Sequence, residues 1–172
     1  MRYQHIIRAV SEMPWAIRPS TLAVILDLIE FRADGGRLSA EDVRERIDPV
    51  RRITAPLLAI EKDGWRTWAT ADTFAAIRAS APSGSAVAVL PIQGVITPKA
   101  TMFSDISGGT SVDHFRSMFR EAMGDERVGA IVLDIDSPGG AVDQIPEMAD
   151  EIRDAGRTKP IVAIANTVAA SG

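Results

Sequence analysis

Val128-Gly129-Ala130-Ile131-Val132-Leu133-Asp134-Ile135-Asp136-Ser137-Pro138-Gly139-Gly140 is the stretch on which the fold turns. Its first eight residues are apolar and partly β-branched, with one aspartate near the end, so they read as a buried strand, Val128 to Ile135. Ser-Pro-Gly-Gly then breaks the run with turn residues. On either side the same rhythm recurs. Upstream, Ala86-Val87-Ala88-Val89-Leu90-Pro91-Ile92 reads as another buried strand, followed by a helix from Asp113 to Met123 with Phe115, Met118, Phe119 and Ala122 on one face. Downstream, Ala141 to Ala155 reads as a helix carrying Ile145, Met148, Ala149 and Ile152, and Pro160 to Ala165 as a third strand. The order β-α-β-α-β, with strands apolar throughout, predicts an α/β fold whose parallel sheet is covered on both faces.

In such sheets chemistry gathers beyond the carboxyl ends of the strands. That rule selects residues 93–109, 136–140 and 166–172. In the second of these, Pro138, Gly139 and Gly140 predict a tight turn at the start of a helix, with backbone N–H groups left free. Free N–H groups at a helix N-terminus suit a developing oxyanion. In the third, Asn166-Thr167-Val168-Ala169-Ala170-Ser171-Gly172 is built of small residues and places Ser171 at the start of a helix. Its hydroxyl would face the site, and the Gly172 N–H would complete an oxyanion hole.

The first 80 residues read as helical. Pro19-Ser20-Thr21 opens a helix on which Leu22, Ile25, Leu26 and Ile29 recur at helical spacing, and Gly35-Gly36 closes it. Ser39 and Asp42 stand as N-cap and capping-box residues of the next helix. Leu57-Leu58-Ala59-Ile60 and Trp65-Arg66-Thr67-Trp68 follow, then a helix through Phe74-Ala75-Ala76-Ile77. Trp15, Trp65 and Trp68 are expected to form the core of this helical unit. Ala81-Pro82-Ser83-Gly84-Ser85 reads as a linker, which divides the chain into a helical leader domain (1–80), a linker (81–85) and an α/β core (86–172).

Composition narrows the chemistry. The chain has 172 residues, 46% hydrophobic and 24% charged, the balance of a globular protein. It has no cysteine, which removes disulfides, thiolate zinc sites and a cysteine nucleophile. His5 and His114 show no metal-ligand spacing, and no metal or cofactor is expected. The net charge of −4 argues against nucleic-acid binding. Residues 1–85 carry 12 basic and 11 acidic residues against 7 and 12 in residues 86–172, a contrast that fits a domain boundary. No apolar run reaches the ~18–20 residues of a membrane span. The first residues also lack the order of a signal peptide, so a cytoplasmic protein is expected.

Taken together, Ala88–Ile96, Ile131–Gly140, Lys159–Ala163 and Ala169–Gly172 resemble, in order and spacing, the signal-peptide-peptidase-A-like serine peptidases. Among these they are most similar to the phage capsid-assembly proteases of the minor capsid protein C type. The helical first part, with Met13-Pro14-Trp15-Ala16-Ile17, looks like the leader domain of the phage members. The resemblance implies a partial core of the Clp protease/crotonase type and peptide-bond hydrolysis by a serine with a lysine base. It implies Ser171 as nucleophile, Gly140 and Gly172 as oxyanion donors, and Ser137, Pro138 and Gly139 as residues shaping the turn. It further implies scaffold or capsid proteins as substrates, a homo-oligomer, and the host cytoplasm or prohead as the setting.

The lysine base is not identified. In single-core relatives it follows the serine by several tens of residues, whereas this sequence ends one residue after Ser171. Lys62 lies in the leader and Lys159 at the opposite end of its strand, so Lys99 is the one geometric candidate. The expectation is the N-terminal part of a longer peptidase, inactive by itself. Two other classes of function compete with it. One is a non-catalytic module docking on capsid or scaffold proteins. The other is a magnesium-dependent phosphohydrolase using Asp134 and Asp136, although Pro138 stands where that chemistry wants Thr or Val. A crotonase-like thioester site would leave Ser171 unexplained. His114, beside Phe115, reads as an ordinary helix histidine rather than a partner of Ser171.

Overall fold

The computed structural model describes residue 12 and residues 14–33, 35–36, 57–62, 65–69, 82–99 and 109–170. Its larger sheet has five strands in the order β3-β2-β4-β7-β9: β2 Leu57–Lys62, β3 Trp65–Ala69, β4 Ala86–Gln93, β7 Val128–Ser137 and β9 Ile161–Ala169. β4, β7 and β9 run parallel, in register from Ala88↔Ile131 and Ile131↔Ile161 onward. The crossovers carry α2 (Val112–Gly124) and α3 (Ile145–Ala155). The mixed helix and strand content around a parallel core is that of an α/β fold.

The two crossover helices share one face of the sheet. Each crossover steps to the next strand in the same direction, and crossovers of this kind are right-handed, so both helices land on the same side. There Phe115 and Phe119 of α2, their rings 6.2 Å apart, pack with Met148 of α3 over Ala88, Leu90, Ile131 and Leu133. Phe119, Leu90 and Ile131 are almost wholly buried. Among the described residues both helices cover this face, while Val162 and Ile164 of β9, at the sheet's edge, are exposed on the other.

α2 begins where Ser111 accepts the His114 N–H (3.4 Å), with Asp113 in its first turn. It ends where the Lys159 ammonium donates to the carbonyls of Ala122 (3.1 Å) and Asp125 (2.7 Å). Across the helix pair, Glu151 receives Arg120 (2.6 Å) and Arg116 (3.3 Å). Hydrogen bonding from Arg120, ahead of the charges of Arg120 and Arg116, holds the Glu151 carboxyl below its ordinary value.

The helical reading of the first part holds for α1, Pro19–Ala33, which closes as expected: Gly35 takes a positive φ of 88° and Gly36 N–H donates to Phe31 C=O (2.9 Å). It fails at residues 57–69. These form a hairpin in which Lys62 pairs with Trp65, and β2 continues antiparallel to β4 from Ile60↔Ala86 to Leu57↔Val89. The two residues between the strands are Asp63 and Gly64, a strongly favoured pair for a two-residue hairpin. The tryptophans do not build a helical core, since Trp15 lies in β1 (Trp15–Ile17) and Trp65 and Trp68 in β3. The helices expected from Ser39 and through Phe74–Ile77 lie outside the described residues.

Candidate active site

A second sheet crosses the carboxyl end of the first, in the order β1-β8-β5-β6, with β5 Ile96–Thr97, β6 Thr110–Ser111 and β8 Gly139–Ala141. β8 is the Gly-Gly segment itself. It runs antiparallel to β1, with Ile17↔Gly139, Ala16↔Gly140 and Trp15↔Ala141, and parallel to β5 through Ile96↔Gly140. The expected opening of a helix at Ala141 is thus overturned. α3 starts only at Ile145, after Gln144 in a left-handed conformation (φ 68°). Residues 139–141 have strands on both flanks, and strand pairing satisfies their backbone groups better than a free turn would.

Glycine at 140 is a packing requirement. A Cβ there would run into the Ile96 carbonyl, so only glycine lets β5 approach. Gly139 takes φ 99°, a conformation that also favours glycine. Ser137, 2% exposed, fixes the bend before them: its hydroxyl donates to Gly94 C=O (2.7 Å) and accepts the Gly139 N–H (3.1 Å).

The end of β9 is brought to the same place. Ala169 is in register with Ser137, and Ala170 N–H donates to Ser137 C=O (3.0 Å). Between Ala165 and Ala169 the strand bulges, setting residues 166–168 against Asp136 alone. The Asp136 carboxylate accepts the Val168 N–H (3.2 Å), and Asn166 Nδ2 donates to Asp134. Ser137, Pro138, Gly139, Gly140 and Ala170 therefore meet at one strand end, while Ser171 and Gly172 lie outside the described residues.

The other candidates are dispersed. Asp134 and Asp136 both lie within β7 and hold β9, the strand-end role that competes with metal binding. No group of three or more metal-ligating side chains occurs among the described residues. Lys99 is exposed on the turn after β5. Lys159 is held at the far end of the sheet by α2. His114 is exposed on α2.

One feature was not legible in the sequence. An apolar cavity of about 250 Å³ opens beside Ala169 and Ala170, walled by Ile92, Ile135, Phe115, Ile145 and Met148. Its walls come from β4, β7, α2 and α3, so no single segment announces it. Among the described residues no helix is long and apolar enough to cross a membrane.

No protein-family model matches the chain. Two curated proteins are similar over about half of it. The head-tail preconnector protein GP5 of Enterobacteria phage P21 is 35% identical over 85 residues, 49% of this chain. The capsid assembly protease C of Escherichia phage lambda is 34% identical over 80 residues, 46% of this chain. The matched parts make up 17% and 18% of those proteins, so the chain spans under a fifth of the length of either, and what it is similar to is one segment of two phage head proteins.

Proposed function

We propose that this chain is part of a serine endopeptidase of the signal-peptide-peptidase-A-like type, with a Clp protease/crotonase-like core, acting in phage or prophage capsid maturation. The observation that carries the reading is the meeting of Ala169-Ala170 with Ser137 at the end of β7, which puts the chain leading to Ser171 beside the Gly139-Gly140 segment. Similarity to a capsid assembly protease supports peptide-bond hydrolysis and the capsid setting. Scaffold or capsid proteins are the proposed substrates, in a homo-oligomer of the complete protein.

In this mechanism Ser171 Oγ attacks the peptide carbonyl carbon while a lysine takes its proton. The displaced electron pair becomes an oxyanion held by the N–H groups of Gly140 and Gly172. The proton then passes to the leaving amine as the C–N bond breaks, and water hydrolyses the acyl-serine. The apolar cavity beside Ala170 offers room for a substrate side chain. The lysine remains unassigned, since Lys159 is engaged elsewhere and Lys99 is exposed. The test is hydrolysis of fluorogenic peptides by the native gene product. Turnover lost in Ser171→Ala is expected; turnover that survives the substitution, or none in the parent protein, overturns the reading.

A further inference from the structure

The backbone around Gly140 is already engaged. Arg18 N–H donates to Pro138 C=O and Val142 N–H to Pro14 C=O, each at 3.1 Å. In an antiparallel ladder, bonded pairs recur at every second residue. Ala16↔Gly140 lies midway between these two bonds, so it is a bonded pair, and the Gly140 N–H points at the Ala16 carbonyl. One N–H cannot serve Ala16 and an oxyanion together.

Resting on the reading of Gly140 as an oxyanion donor, we propose that Trp15–Ile17 is a built-in competitor that closes the site. It lies along the edge of β8, where an extended peptide would add as a strand, and the site opens when β1 leaves. The fold allows that departure. β1 has three residues and, among the described residues, is an edge strand of its sheet. Trp15 and Ile17 rest on Ile25, Ile29 and Val95, a cluster separate from the main core, so release leaves the main core closed. Pro14 and Pro19 flank the segment and α1 begins at Pro19, which keeps the ladder short.

Residues 1–172 carry no cysteine of their own that would compete with an introduced pair. Trp15↔Ala141 is a non-bonded pair; such pairs have Cα atoms about 4.5 Å apart, within disulfide reach. The native gene product carrying Trp15→Cys and Ala141→Cys is assayed oxidised and reduced, with the cross-link confirmed by mass. Oxidation is expected to lower peptide hydrolysis at least tenfold and reduction to restore it. Ala16→Pro, which removes the N–H facing Gly140, is expected to raise hydrolysis several-fold. Equal rates in the two redox forms overturn the proposal. Should the double variant fail to fold, an unchanged or lowered rate in Ala16→Pro does so. If even the parent protein hydrolyses no peptide, the peptidase reading fails. Competition is then decided by a fluorescent peptide with the sequence of residues 13–18. Binding to the reduced form alone supports it, whereas equal binding, or none to either form, overturns it.

Discussion

Ser137 is one of the ties between the two sheets, beside the Thr110–Gln93 pair, and its removal is calculable. Ser137→Ala deletes a hydrogen bond to Gly94 C=O (2.7 Å) and one from Gly139 N–H (3.1 Å). A neutral bond contributes about 1 kcal/mol net, so the two together are worth about 2 kcal/mol. The partners do not fare alike. Gly94 is only partly buried and its carbonyl can be rehydrated, whereas Gly139 is buried and its N–H is left unpaired. An unpaired buried donor costs about 1–3 kcal/mol, so the total loss is about 2–4 kcal/mol. With a urea dependence of about 2 kcal/mol per molar for a chain of this size, the unfolding midpoint falls by about 1–2 M. Urea unfolding followed by circular dichroism measures that shift, and hydrogen exchange should show the Gly139 amide losing protection. A midpoint shift below about 0.3 M at an unchanged slope would refute the assignment of Ser137 as a tie between the sheets.

Three further perturbations separate other parts of the argument. Phe119→Ala removes the largest of the fully buried side chains among the described residues, 1% exposed, and should cost about 3–5 kcal/mol in urea unfolding. Gly140→Ala drives a Cβ into the Ile96 carbonyl, so it should cost about 1–3 kcal/mol or more, seen as a lower melting temperature. The lowered Glu151 carboxyl stabilises the fold above its unfolded value, and that contribution is lost as pH falls through the folded value. The stability difference between the parent chain and Glu151→Gln should therefore be largest at neutral pH and vanish in acid, as read from denaturant midpoints at both; a difference independent of pH would contradict the ion pair.

The α/β portion was legible because each of its elements has a local cause. The apolar runs at 86–92 and 128–135 form the inner strands, the run at 160–165 extends the same parallel sheet although its side chains are largely exposed, and Phe115, Phe119 and Ala122 can share a face only in a helix. Where the reading failed, the deciding partner is remote in sequence. Leu57–Ile60 is a short apolar run that suits a helix or a strand equally, and pairing with Val89–Ala86 settles it.

The candidate site shows the same division more sharply. Pro138-Gly139-Gly140 was read as a turn because proline and glycine punctuate chains, and Gly139, at φ 99°, behaves that way. Gly140 is glycine for a different reason, the approach of Ile96, forty-four residues earlier in the chain. A glycine that admits a neighbouring backbone and a glycine that makes a turn look identical in sequence. The difference matters for function. A free N–H at a helix start would be a finished oxyanion donor, whereas an N–H within a three-strand ladder is a donor already taken, and its use then depends on which strand gives way. β5 is fixed by its own pairing to β6, while among the described residues no strand lies beyond β1. The strand free to leave is therefore β1, and any chemistry at Gly140 is coupled to the unpairing of Trp15–Ile17.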